Sequence, residues 1–208
     1  MITITRIVDC EQYLQNLEAV VFDLDDTLYG EKDYVRSGYR AVATGFPHVE
    51  NMAQKLWAAF EARQPAIDAV LEAEGLATPD NKEKALHLYR NHMPQIALYP
   101  GVEQLLHRLA QQKKLGLITD GRPEGQRAKI QALGIAGLFQ KIIITDELGG
   151  PAYRKPNETA FRLMQQTLDV PFEETVYIGD NTKKDFIAPQ ALGMQTIHFK
   201  NQDGLYTG

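Results

Sequence analysis

The sequence predicts an α/β fold in which a doubly wound parallel sheet carries an inserted all-helical domain. Short runs of aliphatic and β-branched residues alternate with segments of helical periodicity, which is typical of a parallel sheet covered by helices on both faces. One long stretch after the first strand shows helical patterns alone. Carboxylates follow several strands directly, which indicates a functional edge of the sheet.

Five short apolar runs are the expected strands. Most of them do not alternate polar and apolar residues, as expected for strands that are buried on both faces. They lie at residues 19–24, 115–119, 141–145, 175–179 and 194–199. Helical patterns lie between the later strands, and one of them begins at Pro123 and stops at Gly134, the usual positions for these two residues at helix ends.

The stretch between the first two strands is too long for a loop. Apolar residues keep helical spacing from Val49 to Phe60, a second helical pattern follows Pro65, and a third is expected over 82–92. Connections in α/β units usually take about two to six residues. We therefore expect a core domain formed by residues 1–30 and 98–208, with residues 31–97 inserted as a helical cap.

Composition and charge narrow the class of protein. The chain has 208 residues, 44% of them hydrophobic and 24% charged, as in an ordinary globular protein. The formal net charge of −5 and the lack of a basic stripe argue against a nucleic-acid polymer or a membrane surface as partner. No signal peptide or apolar span is recognisable, and the single cysteine, Cys10, excludes an internal disulfide and is expected to be a packing residue. These features predict a cytoplasmic protein, a monomer or a homodimer.

Acidic and hydroxyl residues collect where the predicted strands end. They are Asp23, Asp25, Asp26, Thr119, Asp120 and Asp180; Gly121 follows Asp120, and Lys155 lies in the loop after the third predicted strand. In open α/β sheets, ligands bind outside the carboxyl ends of the strands. Carboxylates crowded there hold protons or recruit a hard cation, and Mg²⁺ prefers oxygen ligands and substrate phosphates. The sequence therefore predicts a magnesium and phosphate site at this edge.

These segments resemble the four motifs of the haloacid dehalogenase (HAD) superfamily. DLDDT at 23–27 matches the D-x-D-x-T/V motif, and LGLITDG at 115–121 is similar to the second motif. Lys155, followed by Pro156, resembles the third, and VYIGDNTKKDFIAPQALGM at 176–194 the fourth. A lone D-x-D pair is weak evidence, whereas four motifs in family order at strand ends are specific. The resemblance covers the whole predicted core.

The resemblance implies a Mg²⁺-dependent phosphatase that hydrolyses small phosphomonoesters through an aspartyl-phosphate intermediate. Asp23 would be the nucleophile, and Asp25 would protonate the leaving group and then activate water, with Lys155 as the third catalytic residue. We expect nearby negative charge to raise the pKa of Asp25, as suits an acid that donates a proton at neutral pH.

The same resemblance implies the binding residues. The carboxylates of Asp23 and Asp180 and the backbone carbonyl of Asp25 would hold Mg²⁺, while Asp185 would lie in the outer shell and orient a bound water or Lys155. The phosphoryl oxygens would be bound by Thr119, Asp120, Gly121 and Lys155. Asp120 could equally form an Asx turn, and Asp185 could begin the following helix.

Two further residues of the first motif have simpler interpretations. Asp26 is expected to be a turn or capping residue, and Thr27 a local hydrogen-bonding residue that holds the loop.

In the predicted cap, several side chains could contact a leaving group, although side chains of these types are more often packing or solvated residues. They are Tyr34, Arg36, Arg40, Trp57, Arg63 and Arg90.

The sequence leaves alternatives open for both the substrate and the reaction. The expected partner is a small phosphorylated metabolite, either a nucleoside monophosphate or a sugar phosphate. A sugar-phosphate mutase would keep the same residues, and a phospho-accepting or catalytically silent regulatory protein would share the acidic pocket. Dehalogenation is disfavoured because the family members with that activity lack an acid at the position of Asp25.

Overall fold

The computed structural model describes residues 1–205 and contains a six-stranded sheet in the order β1-β6-β5-β2-β3-β4. All neighbouring strands are parallel, which confirms the predicted α/β class. The strands are β1 (Ile2–Ile4), β2 (Ala19–Phe22), β3 (Lys114–Thr119), β4 (Lys141–Ile144), β5 (Thr175–Gly179) and β6 (Gln195–Phe199). β1 was not predicted, because a three-residue strand at the sheet edge has too short a pattern to detect.

The register places three of the predicted motifs side by side. β2 is central, since Ala19 aligns with Lys114 of β3 on one side and with Thr175 of β5 on the other. All residues of β2 and β5 are buried, which explains their unbroken apolar patterns. The carboxyl ends of β2, β3 and β5 therefore lie next to one another at one edge.

Eight α-helices lie within the described residues, and the first four follow β2 directly. They are α1 (Glu31–Thr44), α2 (Met52–Glu61), α3 (Ala66–Ala73), α4 (Pro79–Asn91), α5 (Val102–Ala110), α6 (Pro123–Leu133), α7 (Thr159–Leu168) and α8 (Ile187–Ala191). α6 begins at a proline and its C-cap Gly134 adopts a left-handed conformation, as the sequence pattern predicts. None of the described helices has the length and apolar character needed to span a bilayer.

The chain forms two compact units, one of which is Lys32–Ile96. The core of this helical unit contains Tyr39, Leu56 and Leu71 among other buried side chains. The Arg36 guanidinium lies 4.1 Å from the centroid of the Trp57 ring, so these two candidate substrate contacts stack on each other. A role of this unit as a cap stays a prediction.

The second unit comprises Met1–Glu31 and the described residues from Ala97 onward, and it contains the sheet. One face of the sheet packs against α7, where Phe161 meets Tyr177 edge to face at 5.1 Å between ring centroids. Cys10 is buried, as a packing residue would be. Burial raises the pKa of the Cys10 thiol to about 12, so this thiol stays protonated at neutral pH.

Candidate active site

Asp23 follows β2 and continues its hydrogen bonding to β5. Its backbone N–H donates to the carbonyl of Ile178 at 2.9 Å, and its side chain is buried. The Thr27 hydroxyl donates to Asp23 Oδ2 at 3.4 Å, which is the local hydrogen-bonding role expected for Thr27. The backbone ladder therefore fixes where this carboxylate leaves the sheet.

Lys155 contacts the Asp23 carboxylate from the loop after β4. Its Nζ lies 2.6 Å from Asp23 Oδ1 and 2.8 Å from Asp185 Oδ1, and it donates to the Tyr177 hydroxyl at 2.9 Å. Burial alone would lower the pKa of Lys155, but the two carboxylates outweigh this effect and raise the pKa well above its usual value. Lys155 is therefore a buried cation shared by two acids.

Three carboxylates meet at this point of the sheet edge. Oxygens of Asp23, Asp180 and Asp185 all lie within 4.8 Å of one another. Burial, followed by the charge of neighbouring acids, raises the pKa of Asp180 to about 8. Burial also raises the pKa of Asp23, to about 6, against the opposing effect of Lys155. The cluster carries more negative charge than Lys155 neutralises.

The donor set of this cluster fits a magnesium ion. Asp185 is engaged by protein groups, because its Oδ2 accepts from the backbone N–H of Asn181 at 2.9 Å while its Oδ1 pairs with Lys155. Asp180, and Asp23 in addition to its contact with Lys155, are the carboxylates of this cluster that would bind a cation, and hard oxygen donors are the ligands that Mg²⁺ prefers. The family resemblance implied that Asp185 orients either a bound water or Lys155; it contacts Lys155 here, and its outer-shell role stays a prediction.

The Asp25 carboxylate lies among three donors. It accepts hydrogen bonds from Lys129 Nζ at 2.7 Å, from Gln126 Nε2 at 2.8 Å and from the Tyr29 hydroxyl. Burial would raise the pKa of Asp25, but the Lys129 ammonium and these hydrogen bonds outweigh it and lower the pKa. The expectation of a raised pKa was wrong, because the sequence motif does not show the lysine that reaches Asp25 from α6.

Gln126 joins the first two motifs. The same amide nitrogen that donates to Asp25 also donates to the hydroxyl oxygen of Thr119 at the end of β3, and Thr119 is fully buried. Gly121 adopts a φ of 132°, and a Cβ at that position would lie 3.5 Å from Gln126. The loop from Thr119 to Gly121 is thereby held close to Asp25.

Asp120 is occupied by contacts within the protein. Its Oδ1 accepts from the Thr145 hydroxyl at 2.9 Å and from the backbone N–H of Lys155 at 3.1 Å, and its Oδ2 accepts from Lys184 at 2.9 Å. Burial opposes the effect of Lys155 and Lys184, and their charges lower the pKa of Asp120. Its carboxylate orders the loops around the site, and a contact with substrate phosphate stays a prediction.

Sequence reasoning missed several polar side chains at this edge. They are Tyr29, Gln126, Lys129 and Lys184. Gln126 and Lys129 are three positions apart and share one face of α6, and both are buried although polar. Their spacing in the helix that follows the second motif was the available signal.

Several curated proteins are similar to this chain over most of its length. A glyceraldehyde 3-phosphate phosphatase of Methanopyrus kandleri is 30% identical over 200 residues, which cover 88% of this chain and 84% of the relative. The glyceraldehyde 3-phosphate phosphatase of Methanocaldococcus jannaschii is 29% identical, with 87% and 84% covered. A phosphoserine phosphatase of Thermus thermophilus is 30% identical over 65% of this chain and 53% of the relative.

Solved structures and a family model are also similar to this chain. A HAD-superfamily hydrolase of Geobacter sulfurreducens superposes with a TM-score of 0.66 at 16% identity, covering 90% of this chain and 89% of that one. The HAD-hydrolase YfnB of Bacillus subtilis, a structure bound to magnesium, has a TM-score of 0.62 at 22% identity, covering 88% and 86%. Residues 20–199 match the model of the haloacid dehalogenase-like hydrolases. The fold, the clustered motifs and this match together show that the chain belongs to the haloacid dehalogenase-like hydrolase family.

Proposed function

We propose that the protein is a Mg²⁺-dependent phosphatase that hydrolyses small phosphomonoesters through an aspartyl-phosphate on Asp23. The names of the two relatives that match most of the chain support the broader class, a phosphoric monoester hydrolase. The observation that carries the proposal is the buried Asp23–Lys155 pair at 2.6 Å beside the carboxylate of Asp180. The proposed nucleophile, Asp23, thus lies next to Lys155, which would bind phosphate, and next to Asp180, which would bind the metal ion.

In the proposed first step, a carboxylate oxygen of Asp23 attacks the phosphorus of the substrate. The bond from phosphorus to the leaving oxygen breaks as the bond to Asp23 forms, and the leaving oxygen takes a proton from Asp25. Lys155 and the Thr119 hydroxyl bind phosphoryl oxygens. Asp25 acts as an acid once substrate is bound, because the negative charge of the phosphoryl group raises its pKa.

The second step hydrolyses the aspartyl-phosphate. Asp25, now a carboxylate, takes a proton from a water molecule whose oxygen attacks the phosphorus. The bond between phosphorus and the Asp23 oxygen breaks, so inorganic phosphate leaves and the Asp23 carboxylate is restored. The three donors around Asp25 favour the ionised form that this step requires.

A magnesium ion bound by Asp23 and Asp180, and by the Asp25 carbonyl, would neutralise charge on the transferring phosphoryl group. Asp185 would hold Lys155 in place through the ion pair at 2.8 Å. Without a metal the pKa values of Asp23 and Asp180 are raised. A cation shared by the two carboxylates would favour their ionised forms.

Phosphorylated sugars of few carbons are the substrate class that we propose first. Two relatives that cover more than four-fifths of both chains are named glyceraldehyde 3-phosphate phosphatase. A nucleoside monophosphate is the second class, and the helical unit, with the stacked Arg36 and Trp57, is proposed as the cap that selects between them.

The test is phosphate release from a panel of sugar phosphates, phosphoserine and nucleoside monophosphates, with Mg²⁺ and then with EDTA. We expect release that requires Mg²⁺ and that falls by more than about 1,000-fold in Asp23→Asn, because the nucleophile is lost. Asp169→Asn is the matched control, since Asp169 is an exposed acid in a left-handed conformation that asparagine also tolerates.

Other outcomes would contradict the proposal. Phosphate release that EDTA leaves unchanged would rule out the metal-dependent mechanism. Conversion of a sugar phosphate to its isomer without phosphate release would indicate a mutase. A stable phosphoprotein without turnover would indicate a regulatory protein.

A further inference from the structure

The segment that follows β6, residues 200–205, packs against the loop of the first motif. Asn201 Nδ2 donates to the backbone carbonyl of Asp26 at 2.9 Å, and the backbone N–H of Leu205 donates to Asp26 Oδ2 at 2.7 Å. Both Asp26 and Asn201 are buried. We call these residues the post-β6 segment. No sequence motif pointed to it, and the proposed mechanism does not use it.

The contacts of the post-β6 segment hold a particular backbone conformation of Asp26. Its φ is 54°, a left-handed value that few residues other than glycine, asparagine and aspartate adopt. Besides the two contacts from the post-β6 segment, Asp26 Oδ1 accepts from the backbone N–H of Glu31 at 2.8 Å. Hydrogen bonds thus bind the residue on its carbonyl and on both carboxylate oxygens. A conformation of this kind persists where the surrounding structure holds it.

The conformation of Asp26 determines where Asp25 stands. The two residues share a peptide bond, so a rotation at Asp26 would turn the Asp25 carbonyl and move its side chain relative to Asp23. Three groups hold the Asp25 carboxylate, namely Lys129 and Gln126 of α6 and the Tyr29 hydroxyl, and they contact its side chain. The adjoining backbone is held at Asp26 by the post-β6 segment.

Asn201 also connects the two ends of the insertion. Its amide nitrogen donates to the Tyr99 hydroxyl at 2.7 Å, and the backbone N–H of Tyr99 donates to the carbonyl of Leu28 at 2.9 Å. Its Oδ1 accepts from the backbone N–H of Asp203 at 3.0 Å, which closes a turn within the post-β6 segment. One side chain therefore joins the first-motif loop, the returning chain and the post-β6 segment.

We propose that Asn201 is a positioning residue for the reaction, and that it places the proton-transferring carboxyl of Asp25 by holding the backbone of Asp26. This inference rests on the proposed function, in which Asp25 protonates the leaving group. It predicts a specific defect. A misplaced Asp25 impairs departure of an alkoxide, which needs a proton, more than departure of a nitrophenolate, which is stable without one.

The experiment measures the turnover of two substrates by the wild type and by three variants. Asn201→Ala removes all three side-chain hydrogen bonds, the two donated to Asp26 and Tyr99 and the one accepted from Asp203. Asn201→Asp keeps the acceptor for Asp203 but replaces the donor that faces the Asp26 carbonyl. Tyr99→Phe is the matched control, because it removes one partner of Asn201 and keeps the bond to Asp26. The substrates are glycerol 3-phosphate and p-nitrophenyl phosphate, and thermal melts report folding.

We expect kcat/KM of both Asn201 variants to fall by about 10-fold or more with glycerol 3-phosphate and by less than about 3-fold with p-nitrophenyl phosphate. Tyr99→Phe should leave the ratio of the two values unchanged. Equal losses with both substrates, or no loss, would overturn the inference while the wild type remains active. If one variant does not fold, the other supplies the ratio. A wild type inactive toward the full substrate panel would instead refute the proposed function, and with it this inference.

Discussion

Two lysine–carboxylate pairs lie at the same sheet edge and have nearly equal lengths, yet their surroundings differ. Lys155 lies 2.6 Å from Asp23, with side chains 0% and 4% exposed, and it also pairs with Asp185. Lys129 lies 2.7 Å from Asp25, with side chains 6% and 18% exposed. The first pair is one cation between two anions, whereas the second is one anion among three donors.

This difference separates two kinds of acid. Burial, which the charge of Lys155 only partly offsets, raises the pKa of Asp23 to about 6. The charge of Asp25 is satisfied by protein groups alone, and its pKa is lowered. A contact distance taken by itself does not reveal this, because the total of nearby charges and donors decides the protonation state.

Removing Lys155 should have the largest effect. Lys155→Met leaves Asp23 and Asp185 buried without their shared cation, and breaking a buried pair in this way typically costs about 3–5 kcal/mol. Urea unfolding should show this loss, and it should be greater at pH 8 than at pH 6 because the carboxylates can hold protons at the lower pH. Lys183→Met, at an exposed lysine of the loop that carries Asp185, should change stability by less than about 0.5 kcal/mol. Equal stability of the two variants would contradict the shared-cation interpretation.

Removing Lys129 should affect activity more than stability. In Lys129→Met, Asp25 keeps Gln126 and Tyr29 as partners and part of its side chain is exposed, so unfolding should cost less than in Lys155→Met. We expect kcat to fall by about 10-fold to 100-fold, because the carboxyl is no longer held for proton transfer.

Arg127→Met is the control for Lys129→Met, because Arg127 lies on the same helix and pairs with Glu147 at the surface. It should change kcat by less than about 2-fold, as expected for an exposed ion pair that contributes little. If Lys129→Met and Arg127→Met lower kcat equally, the Lys129–Asp25 pair makes no specific contribution to the reaction.

A methyl group at Gly179 should disturb the Lys155 pair without removing a charge. A Cβ there would lie 2.6 Å from Asp185 Oδ2 and 3.0 Å from its Cγ, so Asp185 would have to shift, which would disturb its ion pair with Lys155. We expect Gly179→Ala to lower the free energy of unfolding by about 1–3 kcal/mol, measured by urea denaturation. Gly137→Ala, where a Cβ meets nothing within 4 Å, should be nearly neutral. Unchanged stability of Gly179→Ala would show that the fit around Asp185 is loose.

The smallest expected effect is a pH-dependent response to Mg²⁺. The pKa of Asp180 rises from an ordinary 3.8 to about 8, so the folded protein holds protons that the unfolded chain has lost. Without metal, stability should therefore fall as the pH rises from about 4 to about 8. Mg²⁺ displaces these protons, so it should raise the Tm by a few degrees more at pH 8 than at pH 6. Asp180→Asn should abolish the difference, and an equal response at both pH values would contradict the assignment.

The strand ends could be predicted from the sequence because their signals are local. Asp23 and Asp180 directly follow short apolar strands, and Thr119 is the last residue of one. β1 could not be predicted, since its pairing with β6 depends on a strand far along the chain. Two donors to Asp25 were missed for the same reason, because Gln126 is 101 and Lys129 is 104 positions away.

The sequence by itself determined the parallel sheet, the helical insertion and the presence of acids, a hydroxyl and a lysine at one edge. Apolar periodicity and the order of the motifs are properties of neighbouring residues, so no tertiary information is needed. The tertiary structure decided which charges meet. It lowered the pKa of Asp25 through Lys129, divided Lys155 between two acids, and brought Asn201 to Asp26 across 175 positions. Protonation and positioning depend on burial and distance between remote residues, and only folding sets those two quantities.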